Sequence, residues 1–117
     1  MKLTIQNTDY EIKFGFYFKR HFMKKHRLKT FVDFDKYIQE NINFFNQEQF
    51  TPKHFEFFCQ FAFEGICWHT DKKQLKITLE AFTEYMYTNM HLLGKVLNHY
   101  KESQPKETKS NPVPEGK

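Results

Sequence analysis

Leu3-Thr4-Ile5-Gln6, Asn7-Thr8-Asp9 and Tyr10-Glu11-Ile12-Lys13-Phe14 form the stretch on which the fold turns. Apolar and polar residues alternate on both arms, Leu3 and Ile5 pointing one way on the first, Tyr10, Ile12 and Phe14 on the second. A period of two marks a strand with one buried face. Asn7-Thr8-Asp9 carries turn chemistry, so residues 2–14 are expected to form a β-hairpin. Two strands are only marginally stable alone in water, and their apolar face needs a cover from later in the chain. Beyond Gly15 the patterns are helical. The expected fold is therefore α+β and mostly α: an N-terminal β-hairpin packed on a single small domain of about four helices, residues 1–101, followed by a disordered tail.

The helices follow from spacing and caps. In residues 16–26, Phe18 and Phe22 lie one turn apart among good helix formers, giving a narrow apolar face. In residues 33–46, Phe34, Ile38, Ile42 and Phe45 recur at helical spacing, with Asp33 or Thr30 as the cap. Thr51-Pro52 opens a third helix, residues 52–69, with Thr at the N-cap and Pro in the first turn. Thr78 caps a long last helix, residues 79–101, along which Phe82, Met86, Met90, Leu93, Leu97 and Tyr100 form one wide stripe. Residues 102–117 change to Ser, Gln, Pro, Lys, Glu, Thr and Asn without an aromatic, too little apolar surface to offset ordering entropy.

Aromatics are 19% of the chain and include 15 Phe, so flat rings that need close fitting build the core. The third helix carries two such stripes at about 100° per residue. Phe55, Phe58, Cys59, Ala62 and Ile66 fall on one side; Phe57, Phe61 and Trp68 fall nearly opposite. Such a helix is either sandwiched in the core or shows one stripe to a partner.

A catalytic or metal site is hard to assemble from these residues. The 4 glycines form no phosphate loop, and the 6 histidines are scattered over several elements without ligand spacing. Cys59 and Cys67 lie on one helix about 12 Å apart along its axis and read as reduced core thiols. Asp33 and Asp35 face different directions and read as capping charges. No enzyme, cofactor or metal is expected. The absence of a long apolar run or a signal-like N-terminus leads to an expected cytoplasmic location without membrane contact. The charge balance is basic, +4 at pH 7, and concentrated: Lys13, Lys19, Arg20, Lys24, Lys25, Arg27 and Lys29 come without an intervening acid. Lys19, Arg20, Lys24, Lys25 and Arg27 form a candidate basic face, for an acidic partner or, in an alternative reading, for nucleic acid in a small binding or regulatory protein.

Met1 to Gln6, Asp9-Tyr10-Glu11-Ile12-Lys13-Phe14-Gly15, Phe18 and Lys24-Lys25 together resemble the opening of the tail assembly chaperones of long-tailed bacteriophages, particularly those of Gram-positive hosts. Ile77-Thr78-Leu79-Glu80-Ala81-Phe82-Thr83-Glu84-Tyr85, and the closing Tyr100-Lys101-Glu102-Ser103, are similar to their later part. From Phe31 to Lys76 the likeness is one of general layout. The resemblance implies a non-catalytic protein of the host cytoplasm that binds the tape measure protein, keeps it soluble, and promotes tail tube assembly around it. It also implies the tail tube protein as a further partner, a homo-oligomer, and in many members a longer frameshifted form. A client that is long, helical and partly hydrophobic needs exposed apolar surface to hold it. Phe57, Phe61 and Trp68 are the expected client or self-association surface.

Overall fold

A computed structural model describes residues 1–42 and 50–105. β1 (Lys2–Ile5) and β2 (Thr8–Glu11) pair antiparallel, Leu3 opposite Tyr10 and Ile5 opposite Thr8. The turn between them is Gln6-Asn7, one residue earlier than the sequence pattern placed it, and both residues have positive φ, 52° and 66°. That is the mirror-image two-residue turn whose twist matches paired strands, and Asn tolerates it well. Leu3, Ile5, Tyr10 and Ile12 are buried, so the alternation does face a core.

Five helices follow: α1 (Phe16–Lys25), α2 (Phe31–Ile42), α3 (Pro52–Cys67), α4 (Leu79–Thr88) and α5 (His91–Glu102). The fold is α+β and mostly α. α1 ends by reversing at Arg27, φ 59°, with the Leu28 amide donating to the Met23 carbonyl and the Arg27 amide to that of Lys24. This left-handed cap is usually glycine's place. α2 begins at Phe31, two residues before the expected start, because Thr30 and not Asp33 is the cap: Thr30 Oγ1 accepts from the Asp33 amide, and Asp33 Oδ2 accepts from that of Thr30. Its expected continuation through Phe45 to residue 46 lies outside the described residues. α3 has the expected cap, Thr51 with a reciprocal bond to His54, and Pro52 in its first turn.

The expected single helix over 79–101 is two. Asn89 Nδ2 donates to the Tyr85 carbonyl at 2.8 Å, the acceptor that the Asn89 amide would use in a continuing helix, and that amide turns instead to Met86. A side chain has taken a backbone bond, and the helix breaks there. Met90 consequently leaves the apolar stripe and is 44% exposed, whereas Leu93 and Val96 of α5 return to the core. α5 also runs to Glu102, and Gln104 packs back toward α1, so the ordered chain extends beyond the expected boundary at 101. Residues 106–117 of the expected tail lie outside the described residues.

α3 is the central element, flanked by α2, α4 and the end of the hairpin. The strand extension packs tightly on it at Gly65, where an added Cβ would stand 2.9 Å from Ile12 Cγ2 and 3.0 Å from Phe14 Cε1. The missing side chain lets the strand extension after β2 lie against the helix, where the Lys13 amide donates to the Gly65 carbonyl at 2.9 Å. Trp68 Nε1 donates to the Lys13 carbonyl at 2.7 Å, and His69 Nε2 lies 2.7 Å from the Glu11 carbonyl. The two residues that follow α3 thus also satisfy polar groups of the hairpin and its extension.

Candidate interaction surface

α1 buries Phe18 and Phe22 and nothing else, as its narrow stripe demands. The residues around that stripe are left outside: Phe16 is 56% exposed and Tyr17 66%. The first turn of α2 adds Phe31 at 57% and Val32 at 62%, held there by the Thr30 cap. Phe16 and Phe31 line both hollows at this corner, one running toward Ser103 and Gln104, the other along α1 past Arg20 and Lys24. Large apolar side chains in water at this density mark a contact surface.

The five residues of the candidate basic face divide. Lys19 Nζ stands 4.9 Å from the Phe34 ring centroid and 5.5 Å from that of Phe31, and donates to Gln104 Oε1 at 3.0 Å. It ties α1 to α2 and to the end of α5. Lys25 lies 3.6 Å from Glu64 of α3. Arg20, Lys24 and Arg27 are exposed and, among the described residues, make no ion pair. Lys29 adds a fourth such cation.

Glu64 is a buried carboxylate. Its Oε2 lies 3.0 Å from His26 Nε2 and accepts from Gln60 Nε2 at 3.3 Å; Oε1 has no partner among the described residues. Tyr37, whose ring is 5.5 Å from that of His26, has its hydroxyl pKa raised by burial and then by the Glu64 charge. A carboxylate and an imidazole in contact are groups capable of proton transfer, but this pair sits beneath α1 and binds its C-terminal end to α3. Burial pushes the Cys59 thiol up to about 12 and raises that of Cys67, which makes both poor nucleophiles. Among the described residues there is no group of three or more metal-ligating side chains, and no helix long and apolar enough to cross a membrane.

The expected contact stripe on α3 does not form a surface. Phe61 is 1% exposed, its ring 5.1 to 5.5 Å from those of Tyr100, Phe14, Phe18 and Phe22. Phe57 is half-buried between Phe61 and Tyr37. Trp68 is half-buried and committed to the Lys13 carbonyl. Of the two readings that the twin stripes left open, the sandwiched helix is the one adopted. Phe16, Tyr17, Phe31 and Val32 take the place of that stripe at the surface, and the signal for the first two was present: the α1 apolar face had no room for them.

A second hollow lies between the start of α3 and the end of α4, with Phe55, Tyr87 and Met90 along it and the carboxylates Glu56 and Glu84 beside them. The Phe55 and Tyr87 rings meet edge to face at 6.1 Å. The break after Thr88 opens it, since a continuous helix would carry Met90 inward along the stripe. No protein-family model, no curated protein and no solved structure matches this chain.

Proposed function

We propose that this chain is a tail assembly chaperone of a long-tailed bacteriophage, acting in the host cytoplasm to bind and solubilise the tape measure protein and to promote tail tube assembly around it. The observation that carries the reading is the α1/α2 corner, where Phe16, Tyr17, Phe31 and Val32 stand in water on the first turns of two regular helices. A helical, partly apolar client laid across such a ridge would bury rings on both sides, the helix-in-groove mode of recognition. The hairpin-Phe-Gly opening and the closing helical segment supply the family likeness. Catalysis plays no part in this reading.

The test is co-expression with a tape measure protein, a very long helical chain, from the same phage genome, if a neighbouring gene encodes one. The expected result is a soluble client that co-purifies with the chain, and a return to insolubility with Phe16→Ser/Phe31→Ser. A client equally soluble with and without the chain would remove the proposal. The alternative, nucleic-acid binding, draws on the exposed Arg20, Lys24 and Arg27. Its signature is affinity for an oligonucleotide that falls steeply with added salt as counterions are released, a dependence that aromatic contact with a protein client lacks.

A further inference from the structure

We infer that the chain's own tail docks on the corner of α1 and α2, Pro112-Val113-Pro114 against the Phe16 and Phe31 rings, so that this surface is covered until a competitor displaces the tail. Both hollows of the corner have those two rings in their lining. The larger, of about 660 Å³, is also lined by Ser103, Gln104 and Pro105, and the Lys19 amine donates to Gln104 Oε1 at 3.0 Å. The chain therefore leaves α5 along this hollow, and residue 106 follows at its edge. The smaller, of about 550 Å³, passes Arg20, Lys24 and Lys29, none of which makes an ion pair among the described residues.

Reach and chemistry select the segment. Val113 lies eight residues beyond Pro105; a flexible stretch of that length spans about 16 Å on average and about 27 Å fully extended, enough to return to rings that line the same hollow as Pro105. Pro112-Val113-Pro114 holds the only apolar side chains after Pro105. Proline on both sides of Val113 favours the extended polyproline form, which docks on aromatic surfaces at low entropic cost. Glu115 follows directly and matches Arg20 and Lys24 in charge. Lys106, Lys109 and Lys117 outnumber Glu107 and Glu115, so net charge does not draw the tail to a basic corner. Tethering does: a short linker gives an effective concentration in the millimolar range, and a contact of only millimolar affinity is then made about half of the time or more. A segment with too little apolar surface to order alone needs no more than this when the corner supplies the rings. A client that uses Phe16 and Phe31 must displace the tail, and its apparent affinity falls with the fraction of corners left open. The inference rests on the corner and the path of the chain, and it survives failure of the client assignment.

The test uses the full chain with a nitroxide attached at Gly116→Cys and reads the backbone amide signals of the isotope-labelled protein by NMR. The parent chain put through the same labelling sets the baseline, since Cys59 and Cys67 are poor nucleophiles. Phe16, Arg20, Lys24 and Phe31 should lose about half of their signal or more, in line with the expected occupancy. Val113→Asp/Glu115→Lys in the nitroxide-bearing chain charges the apolar triplet and reverses the acid without altering residues 1–105, and it should restore those signals. A mixture of isotope-labelled parent chain with unlabelled chain bearing the nitroxide should show no loss, because the contact is made within one molecule. Three results would each overturn the inference: signals at the corner that stay at full strength, a loss that persists with Val113→Asp/Glu115→Lys and so reports mere nearness of the tail, or an equal loss in the mixture, which would assign the contact to another copy.

Discussion

Two groups of phenylalanines in this molecule have opposite fates. Phe58 and Phe61 of α3, with Phe18 and Phe22 of α1, are sealed within the core; Phe16 and Phe31, at the corner of α1 and α2, are more than half exposed. Residue type does not separate them. What does is the number of layers against each element. α3 has the hairpin, α2 and α4 around it, so its rings find partners all the way round, whereas the outer side of α1 faces solvent and whatever stands there stays wet. A second aromatic stripe on a central helix is core; a surplus ring on an outer helix is surface.

The largest effect expected from this contrast is at Phe61. Phe61→Ala removes a ring packed against five others and should lower stability by about 3–5 kcal/mol, measured by urea or thermal unfolding. A loss below about 1 kcal/mol would mean that the ring is not sealed in solution. Gly65→Ala comes next, because the new methyl meets Ile12 and Phe14 at close range. Unless the hairpin extension moves away it should destabilise by about 2 kcal/mol, in spite of alanine's better helix propensity.

His26→Ala tests the polar link between outer and central helix. It leaves the buried Glu64 with Lys25 and Gln60 alone and should cost about 1.5 kcal/mol. The smallest effect belongs to the surface. Phe16→Ser/Phe31→Ser should change stability by no more than about 0.5 kcal/mol while removing client binding. A large loss of stability in that variant would place those rings in the core and cancel the contrast.

Much of the fold is legible in local signals. The alternation of Leu3, Ile5, Tyr10, Ile12 and Phe14 specifies strands, Thr51-Pro52 and Thr78 specify helix starts, and Phe18 with Phe22 specifies the buried side of α1. The break after Thr88 is harder to read, since the stripe from Phe82 to Tyr100 continues across it and the signal is a single asparagine whose side chain must capture a carbonyl. The interaction surface is harder still. Periodicity reports that α3 has two apolar sides without reporting how many neighbours will cover them; it left both readings open, and the expected client's need for apolar surface is what put Phe57, Phe61 and Trp68 outside.

Sequence alone therefore determined the class of fold, the order of elements, most of the caps and the excess of rings over what one face of each helix can bury. Tertiary structure decided which rings remain outside, because burial depends on elements distant in sequence arriving on both sides of a helix. It also decided which cations are free, drawing Lys19 onto the Phe34 ring and Lys25 toward Glu64 while leaving Arg20, Lys24 and Arg27 in water. Pattern and propensity act within a turn or two of chain, whereas the partners that cover a ring or neutralise a charge come from elsewhere in the sequence.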